Sequence, residues 1–320
     1  MIDSIKKYIS EADSIAVLCH INSDGDAVGS ALGLTELLVK LGKKADCIME
    51  EVPESRLAFL GDNYIIYNGE NKEYDLCIAV DTASKERLGK RERIFDSADR
   101  TIVIDHHKTN PGYGDINCIK GDYSAAAEVI AELAELCGYE LNDRIAMLLY
   151  SGIMSDSGCL RYSSVKPDTV RRVAGLMEYS FDHAEVSRLL FDSFPLGIIK
   201  LRGAVMNNIE SYCEGKISLI VTDSEMIKSY GVSDTDAGNL VDIPRMVEKT
   251  EIGIEIKERN GIIRGSLRSN GDAEVDRIAA VFGGGGHMRA AGVTMNNMTL
   301  EEAKQALLTE AEKELCRIGK

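Results

Sequence analysis

The sequence predicts an α/β protein. Its N-terminal part reads as a doubly wound, mostly parallel sheet and its smaller C-terminal part as a second α/β domain, with the active site in the cleft between them. Three observations carry this reading. Short apolar runs alternate with helical patterns through the first half, as in layered α/β folds. Two of those runs, LCIAV and TIVI, are apolar throughout, which suits strands covered on both faces. The chain has 320 residues, long for one core and comfortable for two.

Taken in order, 14–19 (SIAVLC) reads as a strand, followed by the polar turn INSDGD and a helix from about 27 to 41. Strands are expected over 44–49, 75–80 and 101–104, and helices over 124–137 and 142–154. From 167 to 212 the pattern is mostly helical, broken at Phe194-Pro195. The second half starts with a strand over 216–222 and helical patterns over 223–230 and 237–249. IGIEIKER and IIRGSLRS, joined by Asn260-Gly261, predict a hairpin. A helix over 274–281, four glycines at 283–286, a strand over 290–295 and a helix over 299–317 complete the chain. The expected division is therefore 1–185, a helical linker over 186–214, and 215–320.

Lys and Arg total 37 and Asp and Glu 52, a net charge of −15. Such a surface repels phosphate backbones on average and argues against coating long duplex nucleic acid. A short phosphorylated ligand in a local site remains compatible with it. No apolar run is long enough to span a bilayer, and the N-terminus lacks a signal-peptide core. The 8 cysteines are scattered without a CxxC pair, so a zinc ribbon or dithiol motif is not expected. These features read as cytoplasmic and reducing, with no membrane partner.

The five histidines are the most informative residues, and four of them sit at ends of expected elements. His20, Asp24 and Asp26 fall within seven residues after the first strand, where open α/β sheets place their sites. The competing reading is an Asp-Gly turn with Asp26 capping the next helix. Asp81 follows LCIAV, where a helix cap is again the alternative. Asp105-His106-His107 follows TIVI directly, and a solvated loop is the alternative there. Asp156 follows the apolar helix, where the dipole disfavours an acid unless something positive compensates. Together these oxygen and imidazole donors suit a hard divalent ion, leaning toward manganese or magnesium. They outnumber the needs of one ion; two metals ~3.5–4 Å apart, sharing a carboxylate and an activated water, would use them all and hydrolyse phosphate esters.

Gly283-Gly284-Gly285-Gly286-His287 lets backbone N–H groups approach an anion, the alternative being a flexible connector. It is no GxxxxGK[ST] loop, so ATP is not indicated. Arg264 and Arg268 lie four apart on one expected strand and face the same side. With His287 they could form an anion clamp, although a solvated strand face is the better reading for Arg264 alone.

The segments at His20–Asp26, Asp81, Asp105–His107 and Ser155–Gly158 together resemble the DHH phosphoesterase family. Gly283–His287 with Ala290-Ala291-Gly292 is similar to the substrate-binding domain found in one branch of it, the nanoRNases and 3′-phosphoadenosine 5′-phosphate (pAp) phosphatases. The resemblance spans the whole chain. It implies a metal-binding catalytic domain followed by a substrate-binding domain, and two divalent ions, Mn2+ foremost. His20, Asp24 and Asp81 would hold one ion, and Asp26, Asp81, His106 and Asp156 the other, with Asp81 shared. His107 would contact the scissile phosphate as acid or charge stabiliser, and Asp105 would orient a histidine. Arg268, Gly284, Gly285, Gly286 and His287 would grip the rest of the substrate.

Expected substrates are short oligoribonucleotides, pAp and linear pApA. A cyclic-di-AMP phosphodiesterase is the alternative within the family, and a non-catalytic nucleotide sensor is the alternative outside enzymes. A manganese pyrophosphatase is disfavoured, because its Arg-Lys-Lys type motif is missing. The family departures are Ser23 where Pro is usual, and Ser155 and Ser157 where Thr is common. Neither removes a ligand. Whether the chain is a monomer or a homodimer is left open.

Overall fold

The computed structural model describes residues 1–70, 72–233, 237–238, 240–259 and 261–319. The chain divides into two compact units, Met1–Ser193 and Phe194–Lys320.

The first unit opens with α1 (Ile2–Glu11), β1 (Ser14–Leu18), α2 (Gly25–Lys40), β2 (Lys44–Met49) and the short β3 (Ile65–Ile66). It continues through β4 (Leu76–Val80), α3 (Glu92–Ser97), β5 (Thr101–Asp105) and β6 (Ile116–Ile119). Four helices follow: α4 (Ala126–Cys137), α5 (Asp143–Asp156), α6 (Pro167–Leu176) and α7 (His183–Phe191). Among the described residues the strands form one sheet of order β3-β2-β1-β4-β5-β6. Every pairing in it is parallel. Alternate side chains of the central strands feed two different cores. Ile15, Val17, Leu76, Ile78 and Val80 enter one, and Ala16, Leu18, Cys77 and Ala79 the other. This is why those runs carry no polar alternation. The chain order reverses between β1 and β4, so the carboxyl ends of these two strands flank a topological switch point.

Helices α2 and α5 pack backbone to backbone. A Cβ on Gly29 would lie 2.6 Å from Leu148 O, and one on Gly152 would lie 2.7 Å from Asp26 Oδ1. The structure departs from the local sequence readings at three points. The cap of α2 is Asp24, whose Oδ1 accepts from Asp26 N and Ala27 N, so Asp26 sits buried in the first turn instead. Helix α5 runs on to include Asp156. Strands β3 and β6 lie at the sheet edges, and of their residues only Cys118 is buried, so no apolar run marks them.

The second unit contains α8 (Leu196–Asn207), β7 (Glu210–Tyr212), β8 (Ile217–Asp223), α9 (Ser224–Ser229) and α10 (Asp242–Arg245). After these come β9 (Ile252–Arg259), β10 (Ile262–Ser269), α11 (Val275–Val281), β11 (Gly285–His287), β12 (Ala290–Met295) and α12 (Leu300–Arg317). Its sheet has the order β11-β12-β10-β9-β8-β7 and is mixed: β8 and β9 pair parallel, the other neighbours antiparallel. Ile252, Ile254 and Ile256 share a core with Leu307, Ala311 and Leu315 of α12. The expected hairpin pairs Arg259 with Ile262; Asn260 of its turn lies outside the described residues. Among the described residues of 237–249 the expected helical pattern yields only α10, which carries Pro244. Segment 186–214 is shared: Val186 and Leu190 join the first unit's core, while Ile198, Leu201 and Val205 pack in the second. Among the described residues no helix is long and apolar enough to cross a membrane.

Candidate metal centre

Six donors converge where β1, β4 and β5 end. His20 follows β1, Asp24 and Asp26 open α2, Asp81 follows β4, His106 follows β5, and Asp156 ends α5. His20 Nε2 stands 3.8 Å from Asp24 Oδ2 and 3.6 Å from Asp81 Oδ2. His106 Nε2 stands 3.4 Å from Asp81 Oδ1, 3.4 Å from Asp156 Oδ2 and 4.0 Å from Asp26 Oδ2. Asp81 thus faces both imidazoles, one with each oxygen. Its backbone adopts φ 49°, a conformation disfavoured for a non-glycine residue, which turns its side chain into the cluster at a cost of about 1–3 kcal/mol.

The supporting bonds are partly local and partly come from far along the chain. Asp26 accepts from Ala126 N at 2.6 Å and Ala127 N at 3.0 Å, the first N–H groups of α4, and from Ser30 Oγ at 2.9 Å. His106 Nδ1 lies 3.2 Å from Tyr123 O, and His20 Nδ1 lies 2.7 Å from Ile21 O. A carbonyl can only accept, so the Tyr123 contact puts a proton on His106 Nδ1. His20 Nδ1 lies between the Ile21 carbonyl and the Arg87 guanidinium, 3.1 Å away. Both rings turn Nε2 toward the cluster. His107 Nδ1 meets Asp105 Oδ1 at 2.8 Å and lies 3.7 Å from Asp81 Oδ1. Asp105 is buried and further fixed by Asn110 Nδ2 at 2.6 Å and His106 N at 2.8 Å. Asn110, Tyr123 and the α4 backbone were absent from the sequence reading; the Asn110-Pro111 turn was the one local signal for any of them.

The electrostatics are those of acids crowded together. Burial, with Asp81 adding and His106 opposing, pushes the Asp26 carboxyl well above the usual range. Burial also lifts Asp156 to about 7, with His106 opposing and Asp24 and Asp81 adding. Burial works against the charged form of His106, yet Asp81, Asp26 and Asp156 outweigh it and raise that imidazole to about 10. His20 is raised for the same reason, by Asp81 and Asp24 against burial. Asp81 itself is held well below the usual range, its burial outweighed by the imidazoles of His106 and His20.

The residues fit divalent ions. Asp81 Oδ1 is buried and accepts no hydrogen bond. His20, Asp24 and Asp81 each offer an atom within 4.8 Å of the others, and so do Asp26, His106 and Asp156. Two atoms each ~2.1 Å from one ion stand roughly 3–3.5 Å apart, close to the spacings seen here. All donors are oxygen or imidazole nitrogen, which favours a hard or borderline ion.

The residues expected to grip substrate lie in the second unit. Arg268 on β10 is half-buried and pairs across to Ala290 of β12, which in turn pairs with His287 of β11. Arg268 and His287 therefore share a register row, two strand spacings or about 10 Å apart. The glycine run differs from the expected loop. Gly285, Gly286 and His287 form β11, and a Cβ on Gly284 or Gly286 would lie 2.4 Å from Gly292 O or Ala290 O. Those two glycines are required by close packing of the backbone against β12.

A parallel sheet with carboxylates and imidazoles at its switch point, joined to a mixed-sheet unit, defines the DHH class, and the chain belongs to the DHH family. The model of the DHH family N-terminal domain matches residues 14–153, and that of the DHHA1 domain matches 216–316. Among individual proteins, the chain is 31% identical to the bifunctional oligoribonuclease and PAP phosphatase NrnA of Thermus thermophilus, over 95% of this chain and 91% of that protein. It is 28% identical to the protein of the same name from Bacillus subtilis, over 90% of this chain and 91% of that one. An exopolyphosphatase-related protein from Bacteroides fragilis superposes with a TM-score of 0.93 at 25% identity, covering 100% of this chain and 97% of that one. The RecJ structure with Mn2+ from Thermus thermophilus shares the fold, with a TM-score of 0.56 at 16% identity over 97% of this chain and 54% of that one.

Proposed function

We propose that the protein is a two-metal phosphoesterase that hydrolyses short oligoribonucleotides to mononucleotides and pAp to AMP and phosphate. The observation that carries this is Asp81, a buried carboxylate facing His20 with one oxygen and His106 with the other. The names of the relatives support the substrate class. His20, Asp24 and Asp81 would hold one ion, and Asp26, Asp81, His106 and Asp156 the other, manganese being the expected metal. Bound there, divalent ions acidify water and neutralise charge developing on a phosphoryl group.

The chain's own residues do the rest. The contact between Asp105 and His107 Nδ1 sets that imidazole's orientation and keeps a proton on Nδ1, so that Nε2 would give a proton to the leaving oxygen when the ring is an imidazolium. Asn110 holds Asp105 in turn. The α4 N-terminus fixes the Asp26 carboxylate so that it need not reorganise during reaction. Arg268 and His287 contribute donors for a second phosphate.

The test is phosphate release from pAp, and mononucleotide release from RNA of two to tens of residues, with purified protein and manganese. His107→Ala should retain metal while turnover drops by ~10²–10⁴-fold, the range for general acid catalysis. His106→Ala should lose metal. Equal metal loss in both variants, or degradation of long RNA as fast as a dinucleotide, contradicts the proposal.

A further inference from the structure

The segment after Asp156 carries side chains that the chemistry above does not use. Helix α5 does not fade out there. Gly158, Cys159 and Leu160 have φ values of 59°, 60° and 61°, three successive left-handed residues of which two are not glycine. A helix continued past Asp156 would carry residue 162 about 9 Å further along its axis. The left-handed turn folds the chain back instead. Arg161 N and Tyr162 N both donate to Ser157 O, at 3.0 and 3.1 Å, and Leu160 N donates to Ser157 Oγ at 3.1 Å. Arg161 and Tyr162 are thereby returned to the residue next to Asp156.

Tyr162 then lies against Gly158. A Cβ on Gly158 would stand 2.4 Å from Tyr162 Cζ and 2.6 and 2.7 Å from its Cε1 and Cε2. Near-equal separations from three ring atoms place that position over the ring rather than beyond its edge. Gly158 thus backs one face of the ring, and the residue remains 46% exposed. The other face is left open, on a residue whose backbone is bonded to Ser157, the neighbour of Asp156. Arg161 is exposed beside it; its Nε donates to Gly158 O at 2.7 Å, and among the described residues it makes no ion pair.

We propose that Tyr162 is a nucleobase platform. Its outer face would stack on the base of the nucleotide whose phosphate is at the Asp81–Asp156 cluster, with the Arg161 guanidinium alongside the nucleotide backbone. Every base has a π-face, so such a platform accepts any nucleotide and rejects phosphate esters that lack a base. The length is suitable: Gly158 lies two residues, at most about 7 Å of chain, from Asp156, and a base stands a comparable distance from its own phosphate. This inference rests on the proposed function and adds the selection of nucleotides to it.

The experiment compares the full-length protein with Tyr162→Ala and Tyr162→Phe, in manganese, on pAp and on the baseless ribose 3,5-bisphosphate. A 2-aminopurine analogue of pAp reports stacking by quenching of its fluorescence. Tyr162→Ala should lower kcat/KM for pAp about tenfold more than for the baseless ester, chiefly through KM, and should relieve the quenching. Tyr162→Phe keeps the ring and should restore both. Equal loss on the two esters, or quenching unchanged in Tyr162→Ala, overturns the platform. Wild-type protein that turns over neither pAp nor short RNA overturns the proposed function, and the platform with it.

Discussion

The two units hold their chemical groups in opposite ways. In the first, key side chains are pinned by bonds from elsewhere in the chain: Asp26 by α4, His106 by the Tyr123 carbonyl, and Asp105, which meets His107, by Asn110. In the second, His287 is exposed, and the one hydrogen bond recorded for the Arg268 guanidinium among the described residues goes to the neighbouring Leu267 carbonyl, at 3.1 Å. A centre meant for ions must be built before they arrive, because like charges a few ångströms apart are tolerated only in a rigid frame. The proposed phosphate grip would need no such frame, because long, solvated side chains can settle on their ligand.

The largest expected effect attacks the residue proposed to be shared by both ions. Asp81→Asn should lower phosphate release by ~10³-fold or more, since several kcal/mol of charge stabilisation go with it; isothermal titration should show manganese binding lost as well. Turnover close to wild type in saturating manganese would remove Asp81 from the centre.

Rigidity itself is tested at Gly152, which touches no substrate in the proposed reaction. The added Cβ of Gly152→Ala would meet Asp26 Oδ1 and Ala127 Cβ, each at 2.7 Å. Overpacking of this kind costs about 1–3 kcal/mol, and a displacement of Asp26 by about 1 Å should cost ~10²-fold in kcat. Thermal melts and kinetics read the two effects separately. A variant with wild-type kcat would show that the first unit is less rigid than its hydrogen bonds imply.

On the other side of the comparison, Arg268→Ala and His287→Ala should leave manganese stoichiometry unchanged. Each removes a contact of about 1.5–3 kcal/mol if charge-assisted, roughly a tenfold to hundredfold loss in kcat/KM on pAp. The loss should be small on bis-p-nitrophenyl phosphate, which has no second phosphate. Equal losses on both substrates would assign these residues to catalysis or folding.

The smallest effect concerns a buried acid in the second unit that has a cation beside it. Glu255 is buried, with Lys257 Nζ 3.2 Å from its Oε2 and Thr222 Oγ1 3.3 Å from its Oε1. Burial raises its carboxyl above the ordinary 4.5, with Lys257 opposing. The folded chain therefore holds that proton more tightly than the unfolded chain. The associated stability is fully present below the unfolded value and is lost as pH rises through the raised one. Glu255→Gln has no proton to lose, so its Tm at pH 7 should exceed wild type by about 2–4 °C per kcal/mol recovered. The difference should vanish toward pH 4.5. A lower Tm at pH 7 would mean that the pairing with Lys257 outweighs the burial.

Sequence alone was enough for the elements whose signal is local. The apolar runs of β1, β2, β4 and β5, the alternation of strands with helices and the β9–β10 hairpin were all readable, because periodicity follows from which faces are covered. So were the aspartates and histidines at strand ends, since few other roles call for two imidazoles after a buried strand. What only the tertiary structure decided lies in contacts that leave no residue-type mark. Ala126 and Ala127 act through backbone N–H groups a hundred residues from Asp26, and any residue but proline offers one. Gly152 matters for a side chain it lacks, and Gly284 and Gly286 serve the backbone of β12 rather than an open loop. The left-handed turn at 158–160 contains two residues that ordinarily avoid that conformation. Local pattern records what a residue prefers, whereas these positions are set by what the folded chain places beside them.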